Sequence, residues 1–287
     1  MKELSVEFFD ELWKESQPKD GMKHTRETWD RLAENWKHDP PEVMAAKDKQ
    51  CREIVNYLLS RGAIDENSSV IDIGCGSGNY SVEFAKKVKH VTCSDISPKM
   101  LEYAKEAAAD AGLSNMDFVE CDFMDKDADL KKWEKQFDLA FTSLTPAMDG
   151  LQSIEQCNAI SRNWCFNNSF VYRKDNVRNA VIADFYGKEV TNRWGNSSTY
   201  CLFNILWHMG YAPEVRYYKE VISYEYELTK GLAEGIASNV IRDRAPTDEE
   251  VTALYDYLGK NLAKDGMISK NTESLFAWTI WNVNHEV

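Results

Sequence analysis

Three glycines on alternate positions, Gly74, Gly76 and Gly78, follow the apolar run Val70, Ile71 and Ile73 in "VIDIGCGSGNY". A strand that ends in a side-chain-free bend suits a ligand that must approach the main chain closely. A dinucleotide, a nucleoside triphosphate and an adenosine-bearing sulfonium all meet that description, and each makes different demands nearby. The triphosphate loop needs G-x-x-x-x-G-K-[ST], and no lysine follows this turn. The dinucleotide turn needs G-x-G-x-x-G, and its third glycine would fall at Asn79. An acid, Asp72, stands two residues before the first glycine; it would repel a pyrophosphate and attract a cationic head group. A second acid, Asp95, closes the next apolar run about 20 residues on. A third, Asp122, ends "FVECD".

These groups need a scaffold, and the chain supplies an alternating one. Strand-like runs at 70–73, in "HVTCSD", in "MDFVECD" and in "FDLAFTSL" are separated by helical stretches near 79–88, 98–111 and 128–135. In the second of these, Met100, Leu101, Ala104, Ala107, Ala108 and Ala111 form the buried stripe. This repetition predicts a parallel sheet covered by helices on both faces. A helix at 149–162, a strand around 168–173, the apolar helix "STYCLFNILWHMGY", the strand-like "EVRYYKEVISYEYEL" and the final "ESLFAWTIWNV" continue it. His208, inside that apolar helix, reads as a core residue. Residues 1 to about 40 read as helical and aromatic-rich; "DPPEV" then opens a helix carrying Cys51, Ile54, Val55 and Leu58 inward and stopping near Gly62.

"VIDIGCGSGNYSVEFAK", "VTCSDISPKMLEYAKE" and "FVECDFMD" resemble, in order and spacing over about residues 66–145, the motifs of class I S-adenosylmethionine-dependent methyltransferases. The resemblance implies an α/β, Rossmann-like, seven-stranded, mostly parallel sheet with its last antiparallel strand beside the sixth. It implies a helical N-terminal arm and lid (1–62), a core (63–226 and 274–287) and a helical cap insertion (227–273). It implies S-adenosylmethionine as cofactor, with Asp72 toward the methionine end, Gly74, Cys75, Gly76 and Gly78 against the ligand, and Asp95 on the ribose. Ile96 and Met100 would form adenine walls, Asp122 would accept from the adenine amino group beside Phe123, and Ser143 would lie beneath the methyl group. Asp95 and Asp122 also have plainer readings, as a helix-capping acid and a strand-end turn residue.

The stretch after the fourth strand, "TSLTPAMDG", lacks the N-P-P-Y pattern of enzymes that methylate nucleobase amino groups. No catalytic group is fixed by the sequence; His24, His38, Ser143 and Thr145 are the candidates, and a base is needed only if the acceptor must lose a proton. Trp29, Trp36, Tyr80, Tyr186 and Trp194 offer aromatic faces, and Arg173, Arg178 and Arg193 offer charge for an acidic acceptor. No metal site is expected. A net charge of −13 with scattered basic residues favours a small-molecule substrate over nucleic acid. No run reaches the ~18–20 apolar residues of a membrane span. The acidic N-terminus and seven cysteines without C-x-x-C spacing point to the cytoplasm and reduced thiols. A methyltransferase acting on a small molecule, as monomer or homodimer, is the expectation; an RNA or protein methyltransferase and a non-catalytic S-adenosylmethionine-binding protein are the alternatives.

Overall fold

The computed structural model describes residues 4–17, 24–33, 40–125, 130–190, 197–241 and 243–284. Five strands, β1 (Ser69–Ile73), β2 (His90–Asp95), β3 (Met116–Glu120), β4 (Phe137–Ser143) and β5 (Ser161–Asp175), run parallel in the order β3-β2-β1-β4-β5. The sheet is completed by β6 (Glu214–Glu227) and β8 (Met267–Asn282). β8 lies antiparallel between β5 and β6, as the resemblance implies. A two-residue strand, β7 (Ala263–Lys264), adds a hairpin to β8.

Strands buried on both faces read as nearly continuous apolar runs, and β1 is buried at four of its five positions. Helices α3 (Pro41–Ser60), α4 (Asn79–Ala85) and α5 (Pro98–Asp110) cover one face, around Ile54, Leu58, Phe84, Leu101, Phe141, Phe166 and Trp278. Helices α1 (Val6–Ser16), α6 (Leu151–Ile160) and α8 (Ser197–His208) cover the other, around Trp13, Ile71, Ile154, Leu202 and Trp281. Helix α2 (Arg26–Ala33) packs against α5. Gly62, at φ +65, takes the left-handed position that stops α3.

Three elements differ from the sequence reading. The helix expected to 162 ends at Ile160, and β5 starts at once and runs 15 residues; its asparagines, poor strand formers, concealed it. The last strand begins at Met267, because Asp265 and Gly266 (φ 52 and 78) form a tight hairpin turn with β7, a D-G signal overlooked in the sequence. The helix expected near 128–135 is a single 3₁₀ turn at Lys131–Trp133, with 126–129 outside the described residues.

Unequal strand lengths shape the carboxyl edge of the sheet. β4 stops at Ser143, paired with Asn168, whereas β5 continues to Asp175 alongside β8 and β6. A three-stranded tongue therefore rises beyond the carboxyl edge of the parallel strands. Helices α7 (Asn176–Ala180), α9 (Lys230–Val240) and α10 (Asp248–Asn261) pack on it around Val177, Val181, Ala237, Leu254, Leu258 and Ile268. The capping box read at Thr247 and Glu250 starts α10.

Candidate functional site

The turn after β1 crosses onto β2: the Gly74 and Cys75 N–H groups both donate to the Ser94 carbonyl, at 2.7 and 3.0 Å. All three glycines have positive φ (68, 55 and 82), but what lies beside each differs. A β-carbon on Gly74 would fall 2.2 Å from Thr145 Oγ1, and one on Gly78 would fall 2.9 Å from the Ala104 β-carbon. A β-carbon on Gly76 would meet nothing within 4 Å. Gly74 thus admits the loop after β4, Gly78 brings α4 against α5, and Gly76 alone faces open space. Gly78→Ala should cost about 3 kcal/mol, through overpacking and left-handed strain, and lower Tm clearly. Gly76→Ala should cost only about 1 kcal/mol of stability, while its new methyl group intrudes on the ligand's approach and weakens binding. Thermal melts and calorimetry on both variants separate the two effects.

Asp95 ends β2 almost wholly buried, and its carboxylate organises the bend. Oδ2 accepts from the Gly76 N–H and Oδ1 from the Ser97 N–H, both at 2.9 Å. Burial pushes its pKa above the usual carboxylate value, against the pull of those N–H donors. Ser97 caps α5 through the Met100 N–H and donates to Asp30 of α2, while Arg26 pairs with Glu120 at the end of β3. These contacts hold α2 over the carboxyl edge. Beneath it lies a cleft of about 630 Å³ lined by His24, Thr25, Ile96, Glu120, Cys121 and Asp122, among others. Asp122 is exposed there, with Oδ1 accepting from the Met124 N–H. Met100 and Phe123 are buried.

Asp72 is 2% exposed and accepts from Ser81 Oγ on α4. Burial raises its carboxyl to about 7, an effect the Ser81 hydroxyl reduces and the charge of Asp95 increases. No lysine, arginine or histidine forms an ion pair with it among the described residues. A buried carboxylate without a counter-charge is unfavourable, and a cationic ligand would relieve it. With the open bend at Gly76, the remaining acceptor capacity of Asp95 and the cleft at Ile96 and Asp122, the residues present fit an adenosyl group joined to a cationic amino acid.

At the end of β4, Leu144 is exposed with φ +53, a conformation that a non-glycine residue rarely holds. Its N–H donates to the Asn168 carbonyl, and the Asn168 side-chain amide donates to Ser143 Oγ (2.9 Å) and Tyr80 OH (3.3 Å). Tyr80 in turn donates to Gln50 Oε1 at 2.8 Å. The sequence reading named Ser143 and Tyr80 but missed Gln50 and Asn168. Each carried a signal: a polar residue on the inward stripe of α3, and an Asn-Asn pair inside a strand.

Thr145 packs on Gly74 and accepts from the Ala147 N–H, so it shapes the turn. His24 lines the cleft near Asp122, away from Ser143, and stacks on Trp29. His38, Trp36, Trp194 and Arg193 lie outside the described residues. Tyr186 packs in the tongue's core. His208 corrects its expectation: it is exposed at the end of α8, with its ring 5.5 Å from Phe9. Cys75 is buried, and all seven cysteines are free thiols. No described group of His, Cys, Asp and Glu is arranged to hold a metal ion, and no described helix is long and apolar enough to cross a membrane.

A mostly parallel sheet in this order, with a glycine bend after its first strand and an acid ending the second, defines the class I methyltransferase fold. Residues 64–187 match the family model of a methyltransferase domain. In amino-acid sequence, the chain is 31% identical over 124 residues to a 23S rRNA (uracil-C5)-methyltransferase of Francisella tularensis subsp. novicida, covering 43% of this chain and 27% of that protein. It is 34% identical over 88 residues to a protein of the same name from Shewanella sediminis, covering 31% and 18%. The chain therefore spans about a quarter of the length of the first of these relatives and under a fifth of the second. In fold it is similar to magnesium protoporphyrin IX methyltransferase from Synechocystis, solved with S-adenosylhomocysteine (TM-score 0.51, 13% identity, 87% of this chain and 96% of that one). A methyltransferase structure from Bacillus halodurans gives a TM-score of 0.50 at 13% identity, covering 79% and 97%.

Proposed function

We propose that the protein transfers the methyl group of S-adenosylmethionine to a small-molecule acceptor at the carboxyl edge of the sheet. The observation that carries this reading is the placement of Asp95: it ties Gly76 and Ser97 into the bend and ends β2 next to Ile96, at the mouth of the cleft. Asp95 would accept from the ribose hydroxyls, Asp122 from the adenine amino group, and Ile96 and Met100 would wall the base. Asp72 would balance the positive charge at the methionine end. When bound, the cofactor supplies an activated methyl group.

Asp72, Asp95 and Asp122 would hold the cofactor so that its methyl group meets an acceptor lone pair for in-line displacement. The chain contributes mainly by holding the partners in line, with Ser143, Leu144 and Asn168 as the floor. Of the arm 1–62, α2 would act as the lid, since α1 and α3 belong to the layers that cover the sheet; the helices of the insertion would act as a cap, enclosing a site suited to a small acceptor. Net charge −13 supports the same reading, since a polyanion would be repelled at long range. Seven free cysteines, six of them buried, favour a reducing, cytoplasmic setting, and the chain works as a monomer or homodimer. An RNA acceptor is the second reading, favoured by the names of the partial relatives.

Calorimetry with S-adenosylhomocysteine comes first, and micromolar binding is expected. Label from methyl-tritiated S-adenosylmethionine should then enter a low-molecular-weight fraction of cell extract and survive ribonuclease. Label found in RNA instead would overturn the acceptor assignment, and absent S-adenosylhomocysteine binding would overturn the enzyme assignment.

A further inference from the structure

The tongue places an unusual row of side chains next to this floor. β5 carries a bulge between Phe170 and Tyr172. Without it, Tyr172 would share a face with Asn168 and Phe170; with it, Arg173 does. The pairings bear out the shift: Asn168, Phe170 and Arg173 stand opposite Trp278, Phe276 and Ser274 of β8, every second residue of that strand. On β6 the same rows continue to Arg216, Tyr218 and Glu220.

The middle row is aromatic: Phe170 lies 4.7 Å from Phe276 between ring centroids, and Phe276 lies 6.1 Å from Tyr218. Arg173 sits over the Phe170 ring at 5.8 Å, half-buried. Its Nε is buried with no hydrogen-bond partner, and Glu220, across the small Ser274, is beyond ion-pair distance. Trp278 Nε1, opposite Asn168, also lacks a partner, as do two more buried polar atoms on this face: Asn168 Oδ1 and Gln50 Nε2, in residues 1% and 5% exposed. Both belong to the hydrogen-bonded chain Gln50–Tyr80–Asn168–Ser143 that ends at the floor. Buried groups of this kind are costly unless a ligand or water completes them. Here a cationic donor, a flat apolar ring and a neutral amide occur in sequence along one strand face, with the Gln50 amide of α3 bridged to the last by Tyr80.

We propose that the acceptor is a planar small molecule bearing a carboxylate, bound by Arg173 with its ring against Phe170. The Asn168 and Gln50 amides then orient the atom to be methylated. Arginine suits this task because its planar fork matches a carboxylate. The bulge in β5 is the device that turns it toward the site. This inference rests on the methyl-transfer reading and adds its substrate class.

Two sets of measurements keep the substrate class apart from methyl transfer itself. S-adenosylhomocysteine affinity is measured by calorimetry for the wild type, Arg173→Gln and Arg173→Lys. With S-adenosylhomocysteine saturating, benzoate, salicylate, 4-hydroxybenzoate and indole-3-acetate are then titrated against their amides by ligand-observed NMR. At least one acid should bind about tenfold or more tightly than its amide. Arg173→Gln should abolish that preference and Arg173→Lys restore part of it, both with S-adenosylhomocysteine affinity intact. Acids and amides that bind alike, or not at all, would overturn the substrate class while leaving methyl transfer standing. A parallel loss of S-adenosylhomocysteine affinity in Arg173→Gln would assign Arg173 to the methionine carboxylate of the cofactor and overturn the proposal. Absent S-adenosylhomocysteine binding by the wild type would remove the reading beneath it.

Discussion

Asp95→Ala is expected to weaken S-adenosylhomocysteine binding by about two to three orders of magnitude. A carboxylate accepting from two ribose hydroxyls makes charge-assisted hydrogen bonds worth roughly 1.5–3 kcal/mol each, and tenfold in affinity corresponds to about 1.4 kcal/mol. The loss has a second source, because Asp95 also holds the Gly76 and Ser97 N–H groups, each at 2.9 Å. Without it the bend loses the partner that sets its distance from β2. Asp95→Asn keeps one acceptor oxygen and a similar volume, so about tenfold is expected for it. Thermal stability should move much less than affinity. The deleted carboxylate is one that burial disfavours, and its removal offsets part of the lost N–H bonding. Calorimetry on the three proteins, with a melt of each, checks both statements; an alanine variant that binds as the wild type does would remove the ribose role.

The proposed cofactor half of this site is legible in the sequence because its residues are tied together by short-range geometry. A glycine bend after a strand, an acid ending the next strand and a capped helix after it are all local signals, and they recur at the spacing of one strand–helix unit. The structure adds what each glycine is for: Gly78 for helix approach, Gly74 for Thr145 and Gly76 for open space. The proposed acceptor half was only partly visible, Tyr80 and Ser143 being named and Gln50 and Asn168 missed, for the opposite reason. Gln50, Tyr80, Ser143 and Asn168 come from four elements and meet only through the fold. Arg173 was read merely as one of three arginines, since its facing depends on a one-residue bulge that alternation alone does not reveal. The length of β5 was masked by its asparagines, which are poor strand formers.

Asp72→Asn is expected to make the protein more stable above neutral pH and a poorer binder of S-adenosylmethionine. Burial raises the Asp72 carboxyl to about 7, well above an unfolded aspartate near 3.9. Between about pH 4 and 7 the folded chain therefore keeps a proton that the unfolded chain has released. Stability consequently falls as pH rises through that window, and the loss is complete above it. At about 1.4 kcal/mol per pKa unit this is a penalty on the order of 4 kcal/mol, which an asparagine bonded to Ser81 would escape in large part. A cationic ligand reverses the preference and favours the ionised form, so binding expels the proton. Wild-type affinity for S-adenosylmethionine should then rise about tenfold from pH 6 to pH 8, with proton release visible as a dependence of binding enthalpy on the buffer. The asparagine variant should bind more weakly at pH 8 and show little pH dependence from this position. Pairing melts with calorimetry at pH 6, 7 and 8 tests both halves together. A wild-type affinity flat across that range would mean that Asp72 does not answer the cofactor's charge, and its burial would then need a purely structural reason.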